Sequence, residues 1–328
     1  MALGEYPAAK LAKKLFKKYG LKIPFDLKEL VREHATLLYK SIPIEGVDGL
    51  SLNIKVIGAT PTVIINEDIP KTRQLFTLAH ELGHLIIPWH CGIGIEGVGI
   101  RSRMLREMDY REMEQEANIF AAELLMPQEL IMEMYQKAET LAKLHKSICA
   151  TMGVSEHAAA IRMGELLPEN ILFLAESDGE ISYSGQTRDT YASIPETGFV
   201  EPDELFHNAE EHTINKARST NIHWWRIPLK KAKKIINDDR DWREILDLIV
   251  EDLIFDEDDQ KRFKSTINGK IAYVNGKEKI KEHFSKETLY SACYYRLSDT
   301  VGLKPFVAHK DFPAFLKKKI DALIDPKK

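Results

Sequence analysis

Two histidines stand four residues apart, and a glutamate directly follows the first: His80, Glu81 and His84. On an α-helix, residues i and i+4 lie on one face, so both imidazoles can reach a single metal ion. Two nitrogen ligands with a carboxylate beside a water molecule are the elements of the H-E-x-x-H metallopeptidase site. The spacing therefore predicts a zinc site in which Glu81 is the general base.

The residues around this motif are apolar and predict a helix that buries it. The stretch from 75 to 87 reads LFTLAHELGHLII. Burying two imidazoles and a carboxylate without partners is costly, and a metal ion is a natural partner for them. The alternative, two structural histidines in a core, is the weaker interpretation.

A third protein ligand is needed, since a catalytic zinc ion usually takes three protein ligands and a water molecule. A helix predicted over 108–125 offers Glu112, Glu114 and Glu116. Helix spacing alone does not choose among the three. Asn118, one turn beyond Glu114, is placed to hydrogen-bond a ligand imidazole.

Two sequence blocks together resemble the ImmA/IrrE family of zinc peptidases. They are FTLAHELGH at 76–84 and EQEANIFAAELLMP at 114–127. In that family the third ligand is the glutamate four residues before the asparagine of the second block, which corresponds to Glu114. The resemblance implies a gluzincin-like site, with zinc, or alternatively manganese, held by His80, His84 and Glu114.

The same resemblance implies a protein substrate. Members of the family cleave or inactivate a helix-turn-helix transcriptional repressor, usually encoded nearby, in stress responses or in the control of mobile elements and phages. One alternative is a regulator that binds and sequesters a repressor without cleaving it. A weaker alternative is a DNA-binding regulator that uses a helical tail at 141–166 and a lysine-rich first helix. Glu81 favours the peptidase, because a non-cleaving binder does not need it.

Bulk composition limits the other classes of function. The 328 residues favour two domains, and the net charge of −4 argues against a protein that coats nucleic acid. The three cysteines are far apart and form no C-x-x-C pair, which is typical of a reducing cytoplasm. No apolar run is long enough for a membrane span.

The predicted fold is α+β, with two parts. Residues 1–167 are expected to form a zincin-like peptidase domain, a small sheet packed on helices, ending in a helix-turn-helix-like tail over about 129–167. An amphipathic helix is predicted over 8–19, and Asp26 is predicted to be the N-cap of the next helix. Strand signals follow at Val56-Ile57 and at 62–65, with a turn between them.

Residues 168–328 are predicted to form a second α+β domain that senses a signal or captures substrate. Strands are expected across 170–195, and a helix over 229–254 that ends in the acidic stretch 256–259. Residues 270–274 predict a strand that runs into an Asn275-Gly276 hairpin turn. The last predicted helix spans 312–324. The glycine-rich stretch 91–100 is interpreted as a connector.

Overall fold

Helices and strands are mixed along the chain in the computed structural model, which confirms the α+β class. The structure describes residues 6–90, 100–188, 190–192, 194–206, 209–217, 220–229, 238–281, 284–300 and 302–325, and gives the backbone alone for 100–109. The connector predicted at 91–100 therefore lies almost entirely outside the described residues. Two compact units are formed, Met1–Pro168 with Thr213–Trp224, and Glu169–His212 with Trp225–Lys328.

The first unit starts with two short helices and a three-stranded sheet. The sheet order is β1-β3-β2, with β1 parallel and β2 antiparallel to the central β3. Val63 and Ile65 on β3 are fully buried, so the central strand carries the apolar face of the sheet. The elements are α1 (Pro7–Lys18), α2 (Leu27–Arg32), β1 (Thr36–Lys40), β2 (Gly49–Leu52) and β3 (Thr62–Asn66).

Local sequence predicted the two helices well. α1 buries Ala8, Ala12 and Leu15 at helical spacing, and the Asp26 side chain accepts hydrogen bonds from the amides of Lys28 and Glu29 at 2.9 and 3.1 Å. These contacts satisfy amide groups that the first turn of a helix leaves without partners.

The strand predicted at Val56-Ile57 is wrong. The segment is a turn, Ile57 is fully exposed, and Asn53 and Lys55 both have φ of 57°. The β-branched pair has no sheet neighbour to pack against, and strand preference is largely such packing. β1, which the sequence pattern did not indicate, forms instead because Leu38 pairs with Ile64 across the sheet.

Two helices carry the predicted ligands, α3 (Lys71–Ile86) and α4 (Ile100–Leu125). α3 begins directly after Pro70 and ends shortly before Pro88, a residue that cannot continue a helix without losing a hydrogen bond. Gly83 lies at a close approach of the two helices: a Cβ there would meet Phe120 Cδ1 at 3.2 Å and Ala117 Cα at 3.3 Å. The absent side chain thus allows α3 and α4 to pack closely around the motif.

A helical tail completes this part of the first unit, with α5 (Gln128–Lys137), α6 (Leu141–Met152) and α7 (Glu156–Leu166). Gly153, with φ of 68°, ends α6, and the Ser155 side chain caps α7. Arg162 of α7 is buried and forms an ion pair with Glu123 at the end of α4. This buried pair ties the tail to the helix that carries Glu114.

Residues 213–224 also belong to the first unit. They include residues 213–216 of β6 (Glu211–Lys216) and residues 221–224 of the neighbouring strand β7 (Asn221–Arg226). The Asn215 side chain lies 3.0 Å from Nδ1 of buried His145 on α6, and the amide of Ala142 donates to Thr213 Oγ1 at 3.3 Å. Nε2 of His145 lies 2.8 Å from the carbonyl of Glu156. His145 is therefore a neutral, hydrogen-bonded core residue.

The second unit contains an antiparallel pair of strands and a helical core. The pair joins at a turn through Asp178 and Gly179, both with positive φ, which an Asp-Gly pair favours. Buried aliphatic and aromatic residues from its helices form the core. The elements are β4 (Ile171–Ser177), β5 (Glu180–Gln186), α8 (Trp242–Leu253), α9 (Glu257–Glu278), α10 (Lys286–Ser298), α11 (Lys304–Ala308) and α12 (Phe312–Ile324).

Two predictions in this region are wrong. The strand and hairpin turn predicted at 270–276 lie inside α9, where Ile267, Ile271 and Val274 share one buried face. The acidic stretch 256–259 begins α9 rather than ending α8, and Asp256 caps the amides of residues 258 and 259. Carboxylates stabilise the positive end of a helix dipole, which explains the reversal. Among the described residues, no helix combines the length and apolar character that crossing a membrane requires.

Candidate metal centre

α3 and α4 bring two imidazoles and one carboxylate to a common point. Nε2 of His80 lies 3.1 Å from Nε2 of His84. The Glu114 carboxylate lies 3.2 Å from Nε2 of His80 and 3.4 Å from Nε2 of His84. Their ligand atoms all lie within 4.8 Å of one another, and among the described residues this is the one such group of histidine, cysteine and acidic side chains.

These distances fit a tetrahedral metal ion. Ligands about 2.0–2.1 Å from a tetrahedral zinc ion are about 3.3 Å from one another. The three separations, 3.1, 3.2 and 3.4 Å, bracket that value. Two imidazole nitrogens and a carboxylate are also a donor set that zinc accepts.

His80 is oriented by Asn118. Nδ1 of His80 lies 2.9 Å from Oδ1 of Asn118, so Nδ1 carries the proton and donates it, leaving the lone pair of Nε2 for the cleft. Burial by itself lowers the pKa of His80, but the hydrogen bond to Glu114 and the charge of Glu81 outweigh it and raise that pKa. The hydrogen bonds to His80 and His84 hold the pKa of Glu114 far below its usual range.

Glu81 is held at the edge of the cleft by Ser51, whose hydroxyl donates to Oε2 of Glu81 at 2.6 Å. The cleft has a volume of about 590 Å³ and opens beside β2. Tyr110, half-exposed and one turn before Glu114, contributes a phenol to the same cleft. Burial and the neighbouring carboxylate of Glu114 raise the pKa of Tyr110, so it remains a neutral hydroxyl donor.

The three glutamates that helix spacing left open lie in different surroundings. Glu114 is in the group with the histidines. Glu112 is exposed on the surface of α4. Glu116 lies 2.9 Å from Nε2 of His90 and accepts a hydrogen bond from Nε1 of Trp89 at 2.6 Å. Glu116 is therefore outside the ligand group but connected to the segment that follows α3.

Sequence reasoning missed Ser51, Gly83 and the His90–Glu116 pair as parts of this site. Ser51 is far from the motif along the chain, and its contact with Glu81 exists only after β2 has paired with β3. Gly83 lies within the motif and could have been found, because a glycine inside a helix usually has a packing reason.

Comparison with known proteins gives one family match. Residues 32–163 match the sequence model of a peptidase family described as the IrrE N-terminal-like domain. No curated protein sequence matches the chain. One solved structure, described as a Mycobacterium tuberculosis transcriptional regulator, has 12% identity and a TM-score of 0.41 and covers 71% of this chain and 94% of its own. Similarity at that level carries no argument about the site.

The matched residues include both histidines, Glu81, Glu114 and Asn118. The matching family is one of metallopeptidases, and it implies a metal ion and a protein substrate. The match therefore supports the resemblance to the ImmA/IrrE family of peptidases over residues 32–163 of this chain.

Proposed function

We propose that the protein is a zinc-dependent endopeptidase with His80, His84 and Glu114 as metal ligands. One observation carries the proposal: these three side chains meet in an open cleft that Glu81 also lines. Polar side chains that only happen to be neighbours on a surface are mostly exposed. The side chains of His80 and His84 are only 14% and 12% exposed.

The residues of the cleft have different roles in peptide hydrolysis. A bound zinc ion would supply Lewis acidity to a water molecule and to the peptide carbonyl. Glu81 accepts the proton of the attacking water and donates it to the departing amine. Ser51 fixes the carboxylate of Glu81 by a 2.6 Å hydrogen bond, so the base does not have to be oriented during the reaction.

An extended substrate fits the edge of the sheet. β2 is an edge strand, and its residues Gly49–Ser51 line the cleft beside the histidines. A peptide that adds to this edge by backbone hydrogen bonds would lie along the ligands whatever its side chains are. This mode of binding suits a peptidase whose substrate is another folded protein with an exposed segment.

Tyr110 is our candidate for stabilising the negative charge that develops on the carbonyl oxygen. Among the hydroxyl groups of the cleft, Ser51 is bound to Glu81 and Thr77 is buried, whereas the phenol of Tyr110 is half-exposed and hydrogen-bonds Glu114 at the proposed metal site. A Tyr110→Phe variant is expected to lower kcat by about 100-fold. Unchanged kcat would remove this role.

We propose a helix-turn-helix repressor encoded nearby as the substrate and regulation of stress or mobile-element genes in the cytoplasm as the setting, on the strength of the family. The test is co-expression of the repressor with wild type and with Glu81→Gln, followed by detection of repressor fragments. Cleavage by wild type alone supports the peptidase. Equal cleavage by both contradicts the role of Glu81.

The same experiment separates cleavage from sequestration. An intact repressor that co-purifies equally with both proteins would favour the non-cleaving regulator. Metal analysis of the purified protein, with His84→Ala as control, tells zinc from manganese and gives its amount per chain.

Direct DNA binding is disfavoured by the charge of α7, the second helix of the helix-turn-helix-like tail. Its only arginine, Arg162, is buried against Glu123, and the helix contains no lysine. Its exposed positions are Glu156, His157, Ile161 and Glu165. A helix that contacts phosphates needs exposed basic residues. A role for residues 168–328 in sensing or substrate capture remains a prediction.

A further inference from the structure

We infer that His90 and Glu116 are positioning residues for the metal ligand His84, and that Lys55 fixes the backbone that presents His90. The inference rests on the proposed metal site and concerns how one of its ligands is held. Neither His90 nor Glu116 belongs to the ligand group itself.

A continuous chain of hydrogen bonds runs from the metal-facing ring to a carboxylate. Nδ1 of His84 lies 3.0 Å from Nδ1 of His90, and Nε2 of His90 lies 2.9 Å from Oε2 of Glu116. Because a carboxylate only accepts, Nε2 of His90 must carry a proton and donate it. Nδ1 of neutral His90 is then an acceptor, so Nδ1 of His84 is the donor.

This sequence of donors determines the tautomer of His84. With its proton on Nδ1, the ring has its lone pair on Nε2, the atom that faces His80 and Glu114. Without the acceptor on His90, the proton of His84 could occupy either nitrogen, and one of the two forms cannot bind metal through Nε2. Glu116 acts through His90 on the orientation and basicity of His84.

The burial of His90 indicates that this arrangement is built into the fold. Its side chain is 1% exposed, whereas Glu116 is 26% exposed. A buried imidazole is costly unless both ring nitrogens are paired, and both are. The indole of Trp89 donates to the same oxygen of Glu116 at 2.6 Å, which holds the carboxylate from a second side.

Lys55 secures the backbone that follows α3. Its ammonium donates to the carbonyls of His84 at 3.2 Å and Ile87 at 2.5 Å, and also to that of His90. Carbonyls at a helix end lack partners within the helix, and a cation is favourable there. The contact therefore couples the end of the metal-binding helix to the residue that positions its ligand.

The test is the zinc affinity of the full-length protein, measured by competition with a chromophoric chelator. Zinc is expected to bind about 10- to 100-fold more weakly to His90→Ala and Glu116→Ala, and by a smaller factor to Glu116→Gln, whose side-chain oxygen can still accept from His90. The control is Glu112→Gln on the same helix, which is exposed and should keep wild-type affinity.

Two further measurements separate positioning from general destabilisation. Thermal unfolding of the metal-free proteins should place Glu116→Gln close to wild type, and the visible absorption of the cobalt(II) forms should change in the two alanine variants but not in Glu112→Gln. Wild-type zinc affinity in His90→Ala and Glu116→Ala would overturn the inference and leave the metal site standing. Absence of zinc binding by the wild type would overturn both.

Discussion

His80 and His84 both face the cleft with Nε2 because Nδ1 of each ring is engaged elsewhere. Asn118 accepts from His80 at 2.9 Å, and His90 lies 3.0 Å from His84. One ligand is thus held by an amide on α4 and the other by a histidine that follows α3. Residues that hold the tautomer of a proposed ligand are expected to contribute to metal affinity through that ligand.

Ser51 gives a prediction about turnover at the scale of one hydrogen bond. Ser51→Ala removes the donor to Glu81 and is expected to lower kcat roughly tenfold or more, because the carboxylate is no longer held in position. Zinc affinity should be unchanged. The control is Ser41→Ala, since Ser41 bonds Asp68 and does not line the cleft. Equal kcat in the two variants would contradict the role of Ser51.

Zinc affinity is expected to depend on pH through His80. Burial alone would lower its pKa, but Glu114 and Glu81 raise it above the ordinary 6.5. A histidine must lose its proton to bind a metal. Acidification from about pH 8 to about pH 6 should therefore weaken zinc binding, starting above the pKa of an ordinary imidazole. Chelator competition across that range measures the effect, and a constant affinity would be evidence against it.

At the scale of elements, the close contact of α3 with α4 determines the separation of the histidines from Glu114. Gly83→Ala would add a methyl group 3.3 Å from Ala117 Cα, which is backbone and cannot rotate away. We expect a loss of about 1–2 kcal/mol in the free energy of unfolding, although alanine is the better helix former. Zinc affinity should fall as well, because the helices must separate.

Gly269 of α9 is the matched control for that change. No atom lies within 4 Å of a Cβ built at Gly269, so Gly269→Ala should stabilise the protein by about 0.5–1 kcal/mol. Both variants can be compared by thermal or chemical unfolding. Stabilisation by both would mean that the contact at Gly83 is unimportant.

The sequence predicted the helices whose apolar spacing is regular and whose ends carry local signals. α1, α3 and α12 are of this kind, and so is the capped start of α2 at Asp26. It failed where a distant contact decides the structure. The β-branched residues of 270–274 favour a strand locally, yet the buried face of Ile267, Ile271 and Val274 makes a helix. β1 exists only through its pairing with β3.

In the candidate site, too, the residues related by local spacing could be predicted and those related by distant contacts could not. His80, Glu81 and His84 could be predicted because their relative positions depend only on the geometry of one helical turn. Glu114 could be chosen only by family resemblance, because helix spacing alone did not distinguish it from the two other glutamates on α4. Ser51, Lys55 and His90 depend on how a strand, a turn and a helix end come together, and no local pattern contains that information.

At the scale of the whole molecule, the first unit is not continuous in sequence. It takes residues 213–224 from beyond the boundary near 167 that the sequence predicted. A fragment of residues 1–168 lacks Asn215 and Thr213, the partners of His145 and Ala142. We expect this fragment to unfold at a lower temperature than the intact chain, by calorimetry of the metal-free forms. Equal unfolding temperatures would mean that residues 213–224 add no stability.

The discontinuous path of the first unit also affects its folding during synthesis on the ribosome. At about 5–20 residues per second, synthesis of residues 169–224 takes roughly 3 to 11 s after the helical tail is complete. During that interval the buried His145 lacks the amide of Asn215. Over the same interval the first unit lacks its residues from β6 and β7, and premature termination of translation would leave it without them.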